Sequence, residues 1–135
     1  MLDHLKSLGT HVPYDKYESP SVDMLEVFDN PRPGRNYLTT FVFNEFTSCC
    51  PKTGQPDFGI IRIEYIADKH CIETKSLKIY LGAYRMQGAF MEAVTNQILD
   101  DLVEACDPIV MAVRADFNTR GGTDISVMAE YTREG

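Results

Sequence analysis

The period of hydrophobic and polar positions changes several times along the chain, and each change marks an element. Tyr37 to Phe46 is dense in β-branched and aromatic residues and reads as a strand. Ser48 to Asp57 holds two prolines and a glycine and reads as a loop. Gly59 to Ile66 alternates, with Ile61, Ile63 and Tyr65 on one face and Arg62 and Glu64 on the other, which predicts a half-buried strand. The period then lengthens. Leu77, Tyr80, Leu81 and Tyr84 recur at helical spacing over roughly Thr74 to Arg85. Gly88 interrupts the pattern before a longer helix, roughly Ala89 to Cys106, with Met91, Val94, Ile98, Leu102 and Cys106 along one side. Asp107-Pro108 ends it.

Two alternating runs finish the chain. Ile109 to Phe117 sets Met111, Val113 and Ala115 against Ala112, Arg114 and Asp116. Thr123 to Tyr131 sets Ile125, Val127 and Ala129 against Asp124, Ser126 and Met128, and Arg120-Gly121-Gly122 is the hairpin turn between the runs. The predicted order is ββααββ: an α+β domain over 37–135, with an antiparallel sheet and both helices on one face. A small one-sided sheet leaves edges that favour oligomerisation. Residues 1–36 show no sustained period, and Asn30-Pro-Arg-Pro-Gly34 reads as a turn or extended lead-in. This segment is expected to be an N-terminal arm with at most one short helix.

Composition narrows the class. A chain of 135 residues with 44% hydrophobic and 24% charged residues suits one soluble globular domain. Thirteen Lys and Arg against twenty Asp and Glu give a net charge of −7, which weighs against non-specific binding to nucleic acid or to an anionic membrane. Any bound anion must be held by a local basic cluster. No apolar run approaches the ~20 residues of a membrane span. Met1 to Lys16 lacks the apolar segment of a signal peptide, so a cytoplasmic location is the expectation. A disulfide framework is not expected there. Cys49, Cys50, Cys71 and Cys106 form no CxxC pair, and His4, His11 and His70 lack metal-ligand spacing, so no metal is expected.

Three places carry candidate chemistry. In the loop Phe46-Thr-Ser-Cys-Cys-Pro-Lys-Thr-Gly-Gln-Pro-Asp57, Cys50 is a nucleophile if a cation or a helix N-terminus stabilises its thiolate, and Asp57 is a proton donor or acceptor within reach. The same residues also fit a buried free thiol and a turn-forming aspartate. On a helical wheel with Ile98 at zero, Glu92 falls near 120°, within the arc of about −40° to 140° spanned by Met91, Val94, Leu99, Leu102 and Val103. It fits a carboxylate clamping adjacent N–H donors such as a guanine-like edge. It equally fits a partly exposed first-turn acid favoured by the helix dipole. Lys75, Lys78 and Arg85 share an arc of about 80° on the first helix, and Arg120 precedes a glycine turn whose amides also suit an anion. They fit a phosphate site or a solvated face.

Together these features resemble a known family. Glu73-Thr-Lys-Ser-Leu-Lys-Ile-Tyr80 is similar to the signature helix of the QueF family, Glu-x-Lys-Ser-x-Lys-x-aromatic, and the Phe46–Phe58 loop resembles its catalytic loop. The family contains the NADPH-dependent 7-cyano-7-deazaguanine reductases, nitrile reductases of queuosine biosynthesis. The resemblance runs from about Tyr37 to Tyr131 and implies the tunnelling fold. It also implies a homo-oligomer of rings stacked in pairs, a decamer of two pentamers with sites between subunits. It makes Cys50 the nucleophile that forms a covalent thioimide with the nitrile, and Asp57 the acid. Glu92, Phe90, Met91 and Glu73 would meet the substrate, and Lys75, Ser76, Lys78, Arg120 and Gly121 would bind NADPH.

One departure stands out: the family pattern has a histidine where this chain has Met91, and a thioether transfers no proton. Thioimide formation is expected to survive this change, and turnover to be slowed. Thr74 and Ile79 are milder departures. Two alternatives stay open: an impaired member that only binds or captures the nitrile, and an amidine-forming relative. The Lys-rich helix and the negative charge argue against the second.

Overall fold

The computed structural model describes residues 19–134. The first half of the N-terminal arm, with His4 and His11, lies outside the described residues. A 3-10 turn at Val22–Met24 is followed by β1 (Val27–Asp29), β2 (Thr39–Cys49), β3 (Pro56–Ile66) and β4 (His70–Ile72). Helix α1 (Thr74–Gly82) tightens into a 3-10 turn at Ala83–Met86. Helix α2 (Met91–Cys106), β5 (Val110–Arg120) and β6 (Thr123–Thr132) complete the chain. The main sheet runs β2-β3-β5-β6 and is antiparallel throughout, so the ββααββ expectation holds and β3 meets β5 at the centre, across the helical connection.

The alternation read in β3 and β5 is the core pattern. Ile61, Ile63 and Tyr65 sit opposite Ala115, Val113 and Met111, all buried beneath the helices. Val94, Ile98, Leu102 and Cys106 of α2 and Leu77, Tyr80 and Leu81 of α1 close the layer. Burying aliphatic side chains of this size contributes about 1.5–3 kcal/mol each. Buried polar groups between the helices are paired: Tyr80 donates to Asp101 at 2.5 Å and meets the Tyr84 hydroxyl at 2.8 Å, and Gln97 donates to the other Asp101 oxygen. Burial pushes both tyrosine pKa values up, that of Tyr84 to about 12. Helix α2 stops at Asp107, which takes a left-handed φ of 48° and donates its N–H to the Val103 carbonyl, with Pro108 preventing continuation.

Where the boundaries differ from expectation, the reasons are identifiable. Helix α2 begins at Met91 rather than Ala89 because residues 87–89 are drawn out beside β2: Cys49 N–H donates to the Gln87 carbonyl and Ala89 N–H to the Cys49 carbonyl. The first helix ends at Gly82, and Ala83–Met86 form the 3-10 turn. Strands β2 and β3 extend into the expected loop, which shrinks to residues 50–55. The small sheet of β1 and β4 has no counterpart in the sequence pattern, since three-residue strands are too short to display a period. It ties the end of the arm to the chain just before α1, and the Glu73 N–H donates to the Glu26 carbonyl.

The sheet's other face is open. It carries Val42, Phe58, Ile60 and Met128 exposed, with Arg62–Glu64 and Arg114–Asp116 ion pairs among them. Strands β2 and β6 are the edges.

Candidate active site

A bulge between Phe43 and Phe46 resets β2, so that Phe46 and Ser48 point into the buried side. The register beyond it pairs Ser48 with Asp57 and Cys49 with Pro56, leaving Cys50 at the mouth of the hairpin. The loop closes on itself. Cys50 N–H donates to the Gln55 carbonyl at 2.8 Å, and Gly54 N–H to the Cys50 carbonyl at 2.9 Å. Gly54 takes a φ of 72°, open to glycine at little cost.

Cys50 therefore stands like an N-cap before the turn Pro51–Thr53. The Thr53 hydroxyl, the Thr53 amide and the Lys52 amide all favour its thiolate and hold the thiol pKa below its usual value, against the opposing effects of burial and the Asp57 charge. Cys106 is the contrast: buried beneath the sheet, its thiol is pushed up to about 12. The two environments move the thiols in opposite directions, Cys50 down and Cys106 up. Cys49 points elsewhere and donates its thiol to the Arg85 carbonyl at 3.3 Å.

Asp57 lies on the inner face of β3, with only 4% of its surface exposed. Arg120, at the end of β5, makes a short ion pair with it and also donates to Gln55. A shallow hollow lined by Gln55, Pro56, Phe58, Asn118, Thr119 and Arg120 flanks the pair. Gly59, two residues on, lies hard against β5: a Cβ there would stand 2.7 Å from the Asp116 carbonyl oxygen.

The segment after the helical turn meets this loop. Its bonds to Cys49 bring residues 87–89 alongside the hairpin, and a Cβ on Gly88 would lie 3.4 Å from Pro51 Cα. Phe90, Met91 and Glu92 follow at once. Phe90 is 59% exposed beside the loop, Met91 is half-buried and Glu92 is exposed. The helical wheel sets Glu92 inside the apolar arc. In the fold it sits at that arc's edge, and the buried stripe begins at Val94.

The remaining candidate residues lie apart from these within one chain. Glu73 caps α1, accepting from the Lys75 amide at 2.7 Å and the Ser76 amide at 2.8 Å. Burial works to raise its pKa, but those two amides, the Lys75 charge and the Ser76 hydroxyl together outweigh it and the net shift is downward. The Ser76 hydroxyl accepts from the Glu26 N–H and donates to the Glu73 carbonyl, so both residues build the helix start. Lys75 is half-buried and Lys78 is exposed on the same helix. Arg120 and Gly121 stand by the start of β3, whereas α1 begins beyond its far end and runs back along the sheet, so that the turn after it packs Tyr84 on Phe46 and meets Cys49 through the Arg85 carbonyl. Sequence reasoning misses three residues of the hairpin site: Thr53, Gln55 and Ser48. Only their nearness to Cys50 could have signalled them.

A family model described as QueF-like protein matches residues 56–135. A protein of Nitrosococcus oceani named NADPH-dependent 7-cyano-7-deazaguanine reductase is 55% identical over 111 residues, 82% of this chain and 86% of its own length. Proteins of the same name from Nitratidesulfovibrio vulgaris strain DP4 and Chlorobaculum parvum are 47% and 54% identical. They cover 98% and 83% of this chain, and 79% and 97% of their own lengths. Among solved structures, the crystal structure of the archaeosine synthase QueF-Like in the apo form matches with a TM-score of 0.67 at 20% identity, covering 73% of this chain and 96% of that one. That likeness shows the fold, in agreement with the tunnelling fold that the resemblance implies.

Proposed function

Since the chain belongs to the QueF-like family, we propose that it reduces the nitrile of 7-cyano-7-deazaguanine to the 7-aminomethyl compound with NADPH. The observation that carries this reading is the Cys50 environment: a thiol made acidic by a turn and a hydroxyl, with the Asp57 carboxyl nearby. A thiolate suits the carbon of a nitrile as electrophile. Cys50 Sγ bonds to that carbon, one π bond of the nitrile opens, and the proton that left the thiol passes through Asp57 to the nitrogen. The product is a thioimide, balanced without an outside acid.

Phe90, exposed beside the loop, offers an aromatic wall to the deazaguanine ring. Glu92 offers a carboxylate to its N–H edge. NADPH supplies the hydrides, two per nitrile. Lys75 and Lys78 fit its phosphates. Among the described residues Lys78 makes no ion pair, while the start of α1 is already capped by Glu73 and so leaves the contact to the lysine side chains. Arg120 is held by Asp57 in this structure and would join them once that pair opens. The two unpaired sheet edges support ring assembly. Met91 carries no proton, so the later proton transfers are left to Asp57 and water and run slower than adduct formation.

The test is NADPH consumption on adding 7-cyano-7-deazaguanine, with intact mass on the same mixture and Cys50→Ala as control. Consumption of two NADPH per nitrile, lost in the control, is expected. A mass adduct without consumption would mean capture without reduction and would overturn the reduction step, and the absence of both signals would overturn the reading as a whole.

A further inference from the structure

Among the buried side-chain oxygens and nitrogens of the described residues, one has no hydrogen-bond partner: Ser48 Oγ, on a residue with 0% of its surface exposed. An orphaned buried hydroxyl is costly, and folded proteins seldom keep one without a use. Its position gives the use. Ser48 is the direct cross-strand partner of Asp57, and both side chains point into the buried side of the hairpin. Cβ atoms so paired lie about 4.5–5.5 Å apart, which lets a serine hydroxyl reach a facing carboxylate. In the chain by itself the carboxylate is turned to Arg120 instead.

We propose that Ser48 is a positioning residue for Asp57: when Arg120 releases the carboxylate, the Ser48 hydroxyl donates to one of its oxygens and leaves the other to carry the proton between Cys50 and the substrate nitrogen. Arg120 and Ser48 then hold the acid in turn. The arginine keeps the buried carboxylate paired, as in this structure, and the serine orients it once a ligand draws the guanidinium away. The hydroxyl is unpartnered only in the first of these two states. This rests on the nitrile-reducing reading above.

The experiment uses Ser48→Ala and Ser48→Thr in the full chain, with NADPH consumption, nitrile-adduct formation by mass and thermal midpoint measured together. Losing one hydrogen bond to a charged group lowers kcat and the adduct rate about tenfold or more in the alanine variant. KM for the nitrile should stay within about twofold, as expected for a group that does not hold the ground state. The thermal midpoint should stay level or rise, because an unsatisfied hydroxyl is removed, and threonine should recover most of the rate. Unchanged kcat in Ser48→Ala overturns the proposal. So does a loss of rate that follows a loss of midpoint and is not recovered by threonine. If the unaltered chain neither consumes NADPH nor forms an adduct, the reduction reading fails by itself. The pair is then read without substrate, by the carbon-13 carboxyl signal of Asp57 in an Arg120→Met chain: a change on adding Ser48→Ala supports the bond, and an unmoved signal refutes it.

Discussion

Gly59 is the residue where one added methyl group should do most to the candidate site without touching its chemistry. Its φ is not positive, so the backbone alone would welcome alanine, and the lost freedom of the unfolded chain would stabilise the fold by about 0.4–1 kcal/mol. Space decides otherwise. The new Cβ would stand 2.7 Å from the Asp116 carbonyl oxygen and 3.2 Å from Phe117 Cα, both backbone atoms of the adjacent strand. Neither can swing aside, so β3 and β5 must part where Asp57 and Arg120 meet. Overpacking of this kind costs about 1–3 kcal/mol. Net of the backbone gain, Gly59→Ala should lose about 1–2 kcal/mol. At about 3–5 °C per kcal/mol for a chain of this size, the midpoint falls by about 3–10 °C. Gly82→Ala is the control with the opposite sign. Gly82 is helical, with φ of −65°, and nothing lies within 4 Å of the position a Cβ would take there. It should gain about 0.5–1 kcal/mol, or about 1.5–5 °C. Thermal unfolding followed by circular dichroism, at one fixed protein concentration because assembly shifts midpoints, measures both. A Gly59→Ala midpoint at or above that of the unaltered chain would refute the close approach of β3 and β5. A Gly82→Ala midpoint below it would refute the reasoning from open space.

Two further outcomes follow from the hairpin and from the first helix. Thr53→Val removes the hydroxyl that contributes most to lowering the Cys50 thiol pKa; the pH at which iodoacetamide alkylation of Cys50 reaches half its maximum should rise, because thiolate then forms only at higher pH, and an unmoved profile would discard the turn as the activating device. Lys78→Ala should raise KM for NADPH about fivefold or more and weaken its salt dependence, with adduct formation by the nitrile unaffected; an unchanged KM would remove Lys78 from the cofactor's reach.

The hairpin pair of candidate residues is legible in the sequence because it is local. Cys50 and Asp57 are seven positions apart in a loop between two recognisable strands, so they have to stay close. Glu92 is legible as a residue but not in its burial: a wheel gives an angle around a helix, not how far along that helix the neighbouring layer extends. The basic residues are the opposite case. Lys75, Lys78 and Arg120 read as one cluster by charge, yet the fold sets Arg120 on Asp57, 63 positions away in sequence, and leaves the lysines on α1.

The sequence by itself determined the order of the four main-sheet strands and the two helices, the inward faces of β3, β5 and α2, and the family, because periods of two and 3.6 residues and short motifs are properties of neighbouring positions. Only the tertiary structure decided how those pieces meet. The bulge in β2 sets the register that pairs Ser48 with Asp57, the Cys49 bonds to Gln87 and Ala89 bring the start of α2 alongside the hairpin, and the β3–β5 ladder delivers Arg120 to the buried acid. Each of these is a contact between distant positions, fixed by strand pairing and packing across the whole domain, and no local pattern encodes it.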